Sequence, residues 1–189
     1  MQLILASASP RRKELLGLLG IPFTVRAADI DETMDPSLPA SQEVARVSRL
    51  KALAVDRQED DVVIAADTIV VCGGNILGKP RNPQHAAQML RSLSGRDHQV
   101  MTGCTVLRGQ NIKTFTEVTD LHFRALSEAE IQKYIDSGEP MDKAGAYGIQ
   151  GGAALFCEKL SGDYYNVVGL PVCRLYETLR NVCPEWMEV

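Results

Sequence analysis

The chain lacks most of the features that announce a function at first sight. It has no C-x-x-C pair: Cys72, Cys104, Cys157, Cys173 and Cys183 are odd in number and widely scattered. That argues against a disulfide framework or a structural zinc site and suits small core residues in a reducing compartment. The three histidines, His85, His98 and His122, have no metal-ligand spacing, and no serine lies in a G-x-S-x-G elbow, so triad hydrolase chemistry is not expected. No run approaches the ~18 apolar residues of a membrane span. Ala6-Ser7-Ala8 resembles a signal-peptidase site, but the apolar run before it is short and has no positive flank. A soluble, cytoplasmic protein without a membrane partner is therefore expected. Positive charge is not in excess: the net charge is −4 and basic residues are interspersed with acidic ones, which argues against a nucleic-acid-binding surface. There is no repeat, low-complexity segment or linker, and 189 residues fit one α/β domain or two small lobes.

What is there begins at the N-terminus. Leu3-Ile4-Leu5-Ala6 reads as a short buried strand, followed by a turn, Ser7-Ala8-Ser9-Pro10, into a helix with Leu15, Leu16, Leu18 and Leu19 as apolar positions and Gly20 as its stop. Ser9 is a good N-cap and Pro10 a good first helical residue. Arg11, Arg12 and Lys13 then fall in the first turn, where unpaired N–H groups already form a positive end and cations are disfavoured. An external anion is the natural compensation, most simply a phosphate held by turn amides, serine hydroxyls and guanidinium forks. A solvated basic face that tolerates the dipole is the alternative.

Phe23-Thr24-Val25 alternates like a strand and leads into an acidic loop, Asp29 to Pro36. A helix is expected from a Ser41 cap to about Asp56, with Val44, Val47, Ala54 and Val55 on its apolar stripe and Lys51 among them. Such a lysine either snorkels to the edge or reaches into a cleft. Val62 to Ala66 reads as a buried strand that Asp67-Thr68 interrupts before Ile69 to Cys72 resumes, and Gly73-Gly74 makes a hairpin turn. Asn82 and Pro83 start a helix through Leu93. Gln99 to Leu107 and Lys113 to Phe123 form an antiparallel pair, and Ser127 to Glu130 is a capping box opening a helix with Ile131, Tyr134 and Ile135 that Gly138 closes. A glycine-rich loop, Asp142 to Gly152, precedes expected strands at Ala153 to Cys157 and Tyr165 to Val168, and a last helix starts at Pro171.

Asp67 is the strongest single candidate for chemistry. A carboxylate within a long apolar run must be hydrogen-bonded, metal-bound or shifted in pKa, and each of these suits a base or metal ligand; a carboxylate that caps the next turn is the plainer alternative. Asp29, Asp31, Glu32 and Asp35 offer hard oxygen ligands, but Met34 and Ala40 stand where an EF-hand needs glycine and glutamate; most of the four are expected in a solvated loop, with one or two left to serve a metal. Gly73 to Pro80 matches G-x-x-x-x-G-K, yet Pro80 removes both the magnesium-binding hydroxyl and an amide donor, so the segment fails as a Walker A loop. Lys79 still offers a point charge to phosphate, or is a surface lysine beside a hairpin. The glycines of the 142–152 loop allow a ligand to approach the backbone, and Gln150 can donate and accept, as reading a nucleobase edge requires.

Leu5-Ala6-Ser7-Ala8-Ser9-Pro10-Arg11-Arg12-x-x-Leu15-Leu16, Ala66-Asp67-Thr68, Gly78-Lys79-Pro80, Leu93-Ser94-Gly95 and Asp142 to Gly151, in that order, resemble the Maf nucleotide pyrophosphatases over essentially the whole chain. The resemblance implies one Maf-like domain over residues 1–189, with a two-lobed α/β fold like that of inosine triphosphate pyrophosphatases, an elongated mixed sheet and a central cleft. It implies hydrolysis of a nucleoside triphosphate to monophosphate and pyrophosphate with a divalent metal, Mg or Mn. Carried over by residue, Asp67 is the catalytic base, Glu32 and Asp67 hold the metal, and Ser7, Arg12, Lys51 and Lys79 bind the triphosphate. Arg11, Thr68 and Gln150 stand where the family divides by substrate and resemble the branch acting on dTTP and UTP; a sister branch with Trp, Gln and Glu there prefers 7-methyl-GTP. Leu50 departs from the polar residue that related chains often carry before Lys51. A homodimer is allowed for, and the rival role is a nucleotide-binding regulator of division without turnover.

Overall fold

Every strand and helix that positions the carboxylates and cations grows out of one mixed sheet. In the computed structural model, which describes residues 1–27 and 29–186, seven strands pair in the order β2-β1-β3-β5-β6-β7, with β4 on β3. β1 (Leu3–Leu5) runs parallel to both β2 (Phe23–Val25) and β3 (Val62–Cys72), with Leu3 opposite Phe23 and Val62. Parallel strands need crossovers, and these are α1 (Pro10–Gly17) and α2 (Ala40–Ala54). β4 (Asn75–Leu77) returns antiparallel on β3 through Gly73 and Gly74, whose φ values of 56° and 80° are those a two-residue hairpin turn requires.

α3 (Pro83–Leu93) starts at Asn82, whose side chain accepts the His85 N–H. β5 (Asp97–Arg108) and β6 (Asn111–Phe123) are joined by two residues and are therefore antiparallel neighbours. α4 (Glu128–Asp136) carries the expected capping box, and Gly138 leaves it at φ 74°. β7 (Cys157–Ser161), α5 (Tyr164–Val168) and α6 (Val172–Val182) complete the chain. No helix of the described residues is long and apolar enough to cross a membrane.

Several sequence expectations change. β3 is one continuous strand, so Asp67 does not interrupt it but lies inside it. α2 starts at Ala40 behind Pro39; Ser41 is not its cap, and its carbonyl accepts the Thr116 hydroxyl at 2.7 Å instead. Ala54 is exposed, while Glu43, Ser48 and Ala52 join Val44 and Val47 on the buried face. The strand expected at 153–157 begins at Cys157 because Gly152–Leu155 turns as a 3₁₀ helix. The strand expected at 165–168 is α5: Asp163 Oδ1 takes the Tyr165 N–H at 2.7 Å, a helix-start contact, and buried Asn166 donates to the Val100 carbonyl at 3.0 Å.

The chain divides into two compact units, the first Met1–Asp67, Thr102–Glu117 and Gly169–Val189, the second Thr68–Met101 and Val118–Val168. In the first, Ile4, Ala6, Ala52, Val55, Val63, Ala65 and Leu107 form a buried cluster in which α2 covers one face of β3. A Cβ at Gly103 on β5 would strike the α2 backbone at Val44, so this glycine sets how closely the helix approaches. In the second, the rings of His98, Phe123 and Tyr147 meet edge to face at 4.7 and 4.8 Å, and Tyr134 packs likewise on Phe156 at 5.2 Å.

Candidate active site

Side chains alternate along a strand, so Asp67 shares the face of β3 on which Val63 and Ala65 pack beneath α2. Helical periodicity puts Lys51 on the matching face of α2, one heptad after buried Val44. The two side chains meet there: Lys51 Nζ donates to Asp67 Oδ1 at 2.7 Å, with side-chain exposures of only 13% and 11%. Lys51 therefore neither snorkels nor stays unpaired. Its ammonium also lies 3.0 Å from Glu32 Oε1, on a side chain that is 57% exposed. Asp67 Oδ2 accepts no hydrogen bond among the described residues.

Glu32 is delivered by a loop that α2 pins down. Fully buried Glu43 accepts Arg46 Nε at 2.8 Å and the Asp35 N–H at 2.9 Å, and Arg46 also donates to the Thr33 carbonyl at 2.9 Å. Its hydrogen bond with Arg46 holds the Glu43 carboxyl below the usual carboxylate range. Asp31 and Asp35 are used locally: each takes the N–H two residues on, from Thr33 and Ser37, at 2.8 Å, and hydrogen bonds from the side chains and then the N–H groups of those two residues lower both carboxyl pKa values. Of the acids in this loop, Glu32 is the one the structure brings to Lys51.

The basic turn is organised in the same unit. Ser9 caps α1 by accepting the Arg12 N–H. Arg12 reaches back, donating from Nε to the Gly169 carbonyl at 2.9 Å and from Nη1 to Ser7 Oγ at 3.2 Å. Ser7 Oγ also accepts the Ser9 N–H at 3.3 Å. With both lone pairs taken, the buried Ser7 hydroxyl keeps its own proton to donate. Burial pulls the Arg12 guanidinium below its ordinary pKa, and the charges of Asp67 and Glu32 oppose that pull. No acidic residue occupies the first turn of α1, so its amide dipoles and cations both favour an anion.

This chain matches the family of Maf-like proteins over residues 2–182. It belongs to the Maf family. It is 51% identical over 179 residues to the dTTP/UTP pyrophosphatase of Halalkalibacterium halodurans, with 94% of each chain covered. It is 49% identical over 183 residues to the dTTP/UTP pyrophosphatase of Hahella chejuensis, covering 95% of this chain and 91% of that one. Among solved structures it is similar to a HAM1 protein from Coxiella burnetii, with a TM-score of 0.56 and 14% identity over 96% of this chain and 99% of that one. The fold of this Maf protein is thus inosine triphosphate pyrophosphatase-like, α/β with a mixed sheet.

The structure brings together Ser7 with Arg12, and Glu32 with Lys51 and Asp67. Arg11 is half-buried in the first turn of α1. Thr68, half-buried, follows Asp67 on the opposite face of β3 and opens the second unit. In that unit Lys79 is exposed just after β4, and the neighbouring Gly78 carbonyl accepts the Gly145 N–H at 3.0 Å. Gln150 is exposed on the 148–152 turn. The room provided by the loop glycines is partly filled by the protein itself: a Cβ at Gly145 would meet Val70, at Gly148 Lys143 and at Gly151 Glu139. Sequence reasoning missed Glu43, Arg46 and Glu139; a buried charge in an otherwise apolar helix face was the signal available for Glu43, and none pointed to Glu139.

Proposed function

We propose that this Maf protein hydrolyses dTTP and UTP, together with modified uridine and thymidine triphosphates, to the monophosphate and pyrophosphate with a divalent cation, Mg or Mn. The observation that carries the reading is the meeting of Asp67, Glu32 and Lys51 at mid-strand in β3, in the unit that also holds the hydrogen-bonded Ser7–Arg12 pair. Roughly half-identical relatives named dTTP/UTP pyrophosphatases support the substrate.

Asp67 is the proton acceptor for attacking water: one oxygen is anchored by Lys51 and the other takes no protein hydrogen bond among the described residues. Lys51 neutralises the two carboxylates with two of its three N–H donors and keeps the third for a phosphate oxygen. Ser7 donates its hydroxyl proton, and Arg12, held by its hydrogen bonds to Gly169 and Ser7, adds fixed positive charge beside it. Lys79 adds a further cation for the phosphates, and Arg11, Thr68 and Gln150 are the specificity positions, Thr68 by leaving space and Gln150 by pairing with the donor-acceptor edge that uracil and thymine share.

Asp67 and Glu32 also suit a hard divalent cation. Among the described residues no three His, Cys, Asp or Glu side chains cluster as a closed metal cage. The two carboxylates that converge on the Lys51 ammonium would hold the cation, being the hard oxygen donors magnesium takes in phosphoryl-transfer sites. When bound, the cation supplies polarisation of the anhydride and a lower pKa for water. The reading is completed by a cytoplasmic protein, functioning as one domain over 1–189 with neither nucleic acid nor membrane as partner. Residues 187–189 lie outside the described part of the chain.

Asp67→Asn tests it. The isosteric amide keeps the Lys51 contact as a neutral acceptor but cannot take a proton, so kcat for dTTP falls by about 10²–10⁴ while nucleotide binding by calorimetry and the folded state by circular dichroism persist. A variant that keeps kcat within about threefold of wild type, well short of the effect of a general base, overturns the assignment.

A further inference from the structure

The glycine-rich loop of the second unit closes on a side chain that no motif singles out. Glu139 follows Gly138, whose left-handed φ of 74° turns the chain out of α4. Its carboxylate faces the inside of the 148–152 turn. Oε1 accepts the Tyr134 hydroxyl at 2.9 Å and Oε2 accepts the Gly152 N–H at 2.9 Å, while the Tyr134 oxygen accepts the Gly148 N–H at 3.0 Å. The turn is closed on itself by the Gly151 N–H to the Gly148 carbonyl at 3.0 Å. Both ends of the turn therefore hang from one carboxylate-hydroxyl pair, and exposed Gln150 sits between them.

The packing explains why glycine stands at three positions here. A Cβ at Gly151 would overlap the Glu139 carboxylate, one at Gly148 would collide with Lys143, and one at Gly152 would press on the Tyr134 ring. From behind, Lys143 Nζ donates to the Glu139 carbonyl at 2.7 Å. Burial pushes the Tyr134 phenol well above its ordinary pKa, so the hydroxyl keeps its proton and continues to donate to Glu139.

A fixed turn matters because an amide is ambiguous. With its nitrogen toward O4 and its oxygen toward the N3–H, Gln150 pairs with uracil or thymine. Flipped by half a turn, the same side chain pairs equally well with the N4 amino group and N3 of cytosine. Discrimination then depends on holding the amide in one orientation, so that the wrong base leaves a donor facing a donor. We propose that Glu139 and Tyr134 are the positioning residues for base selectivity, clamping the 148–152 turn so that Gln150 favours 4-oxo over 4-amino pyrimidines. This rests on the reading of Gln150 as the residue that meets the base.

The test compares kcat/KM for dTTP and dCTP in the wild type, Glu139→Ala, Glu139→Gln, Tyr134→Phe, Gln150→Ala and the Glu139→Ala/Gln150→Ala double variant. The dTTP:dCTP ratio is expected to fall about tenfold in Glu139→Ala and in Gln150→Ala, the effect of one misplaced hydrogen-bonding group. The double variant should fall no further than the larger single effect. Glu139→Gln, which cannot accept from both donors, and Tyr134→Phe should move the ratio in the same direction, and they carry the test if Glu139→Ala does not fold. A merely structural role lowers both substrates equally and leaves the ratio unchanged. If Gln150→Ala lowers the ratio while the Glu139 and Tyr134 variants leave it at the wild-type value, or if the two effects multiply in the double variant, the clamp is wrong and the Gln150 reading stands. An unchanged ratio in Gln150→Ala overturns the Gln150 reading and the clamp together.

Discussion

Replacing Lys51 by methionine removes the ammonium between Asp67 and Glu32 while keeping most of the aliphatic stem. The cost follows from the surroundings of each carboxylate. Asp67 lies within β3 with a side chain 11% exposed and loses the hydrogen bond to its Oδ1. Breaking a well-buried pair by removing one partner costs about 3–5 kcal/mol, and some remaining access to solvent places Asp67 at the low end. Glu32, at 57% exposure, adds at most about 1 kcal/mol. A loss of about 3 kcal/mol lowers Tm by roughly 6–12 °C in a chain of this size, measurable by calorimetry in the presence of a chelator. The variant also places two unpaired carboxylates together, so Mg²⁺ or Mn²⁺ should stabilise it more than the wild type, in which Lys51 competes for the same oxygens. At ten times the dissociation constant the recovery is about 1.4 kcal/mol. A loss below about 1 kcal/mol, the range of an exposed pair, together with a Tm that does not respond to metal, would refute the argument that these three groups form one electrostatic unit.

Two further outcomes are expected. Arg12→Lys keeps the charge but cannot bond the Gly169 carbonyl and Ser7 together, so KM for dTTP should rise about tenfold with a smaller change in kcat; an unchanged KM removes Arg12 from the anion site. His98, buried against Phe123 and bonded to the Tyr147 hydroxyl, has its pKa pulled down to about 4 by burial. The unfolded chain binds this proton near pH 6.5 and the folded one near pH 4, so stability from His98 is present above about pH 6.5 and is lost as pH falls toward 4, by about 1.4 kcal/mol per unit at most. Urea titrations across that window should show a shallower loss for His98→Gln, and parallel pH profiles for the two proteins would contradict the assignment.

What the sequence makes legible is what is decided locally. Ser9 with Pro10, Asn82 with Pro83, Ser127 with Glu130 and Gly73 with Gly74 each fix a helix start or a turn through groups a few residues apart, and each forms as expected. The strand expected at Tyr165 to Val168 fails because Tyr165, Val167 and Val168 are residue types that favour strands, while the helical start is set by Asp163 and buried Asn166 is held by the Val100 carbonyl, 66 residues away. Lys51 shows the same limit. Its place on the apolar stripe of α2 is readable from periodicity, but a lysine there can as well snorkel to water, and Asp67 as its partner appears only when α2 lies over β3. Residue types alone leave the acidic loop as four equivalent carboxylates and only the family resemblance picks Glu32; the Asx turns at Asp31 and Asp35 and the Glu43–Arg46 tether supply the physical reason that Asp31 and Asp35 are used locally.

The reaction itself is tested most directly by its products. Purified protein incubated with dTTP and Mg²⁺ or Mn²⁺, with nucleotides resolved by ion-exchange chromatography and phosphates assayed separately, should yield dTMP and pyrophosphate in equal amounts. Release of dTDP and orthophosphate, or tight binding of dTTP with no product at stoichiometric enzyme, would contradict the account.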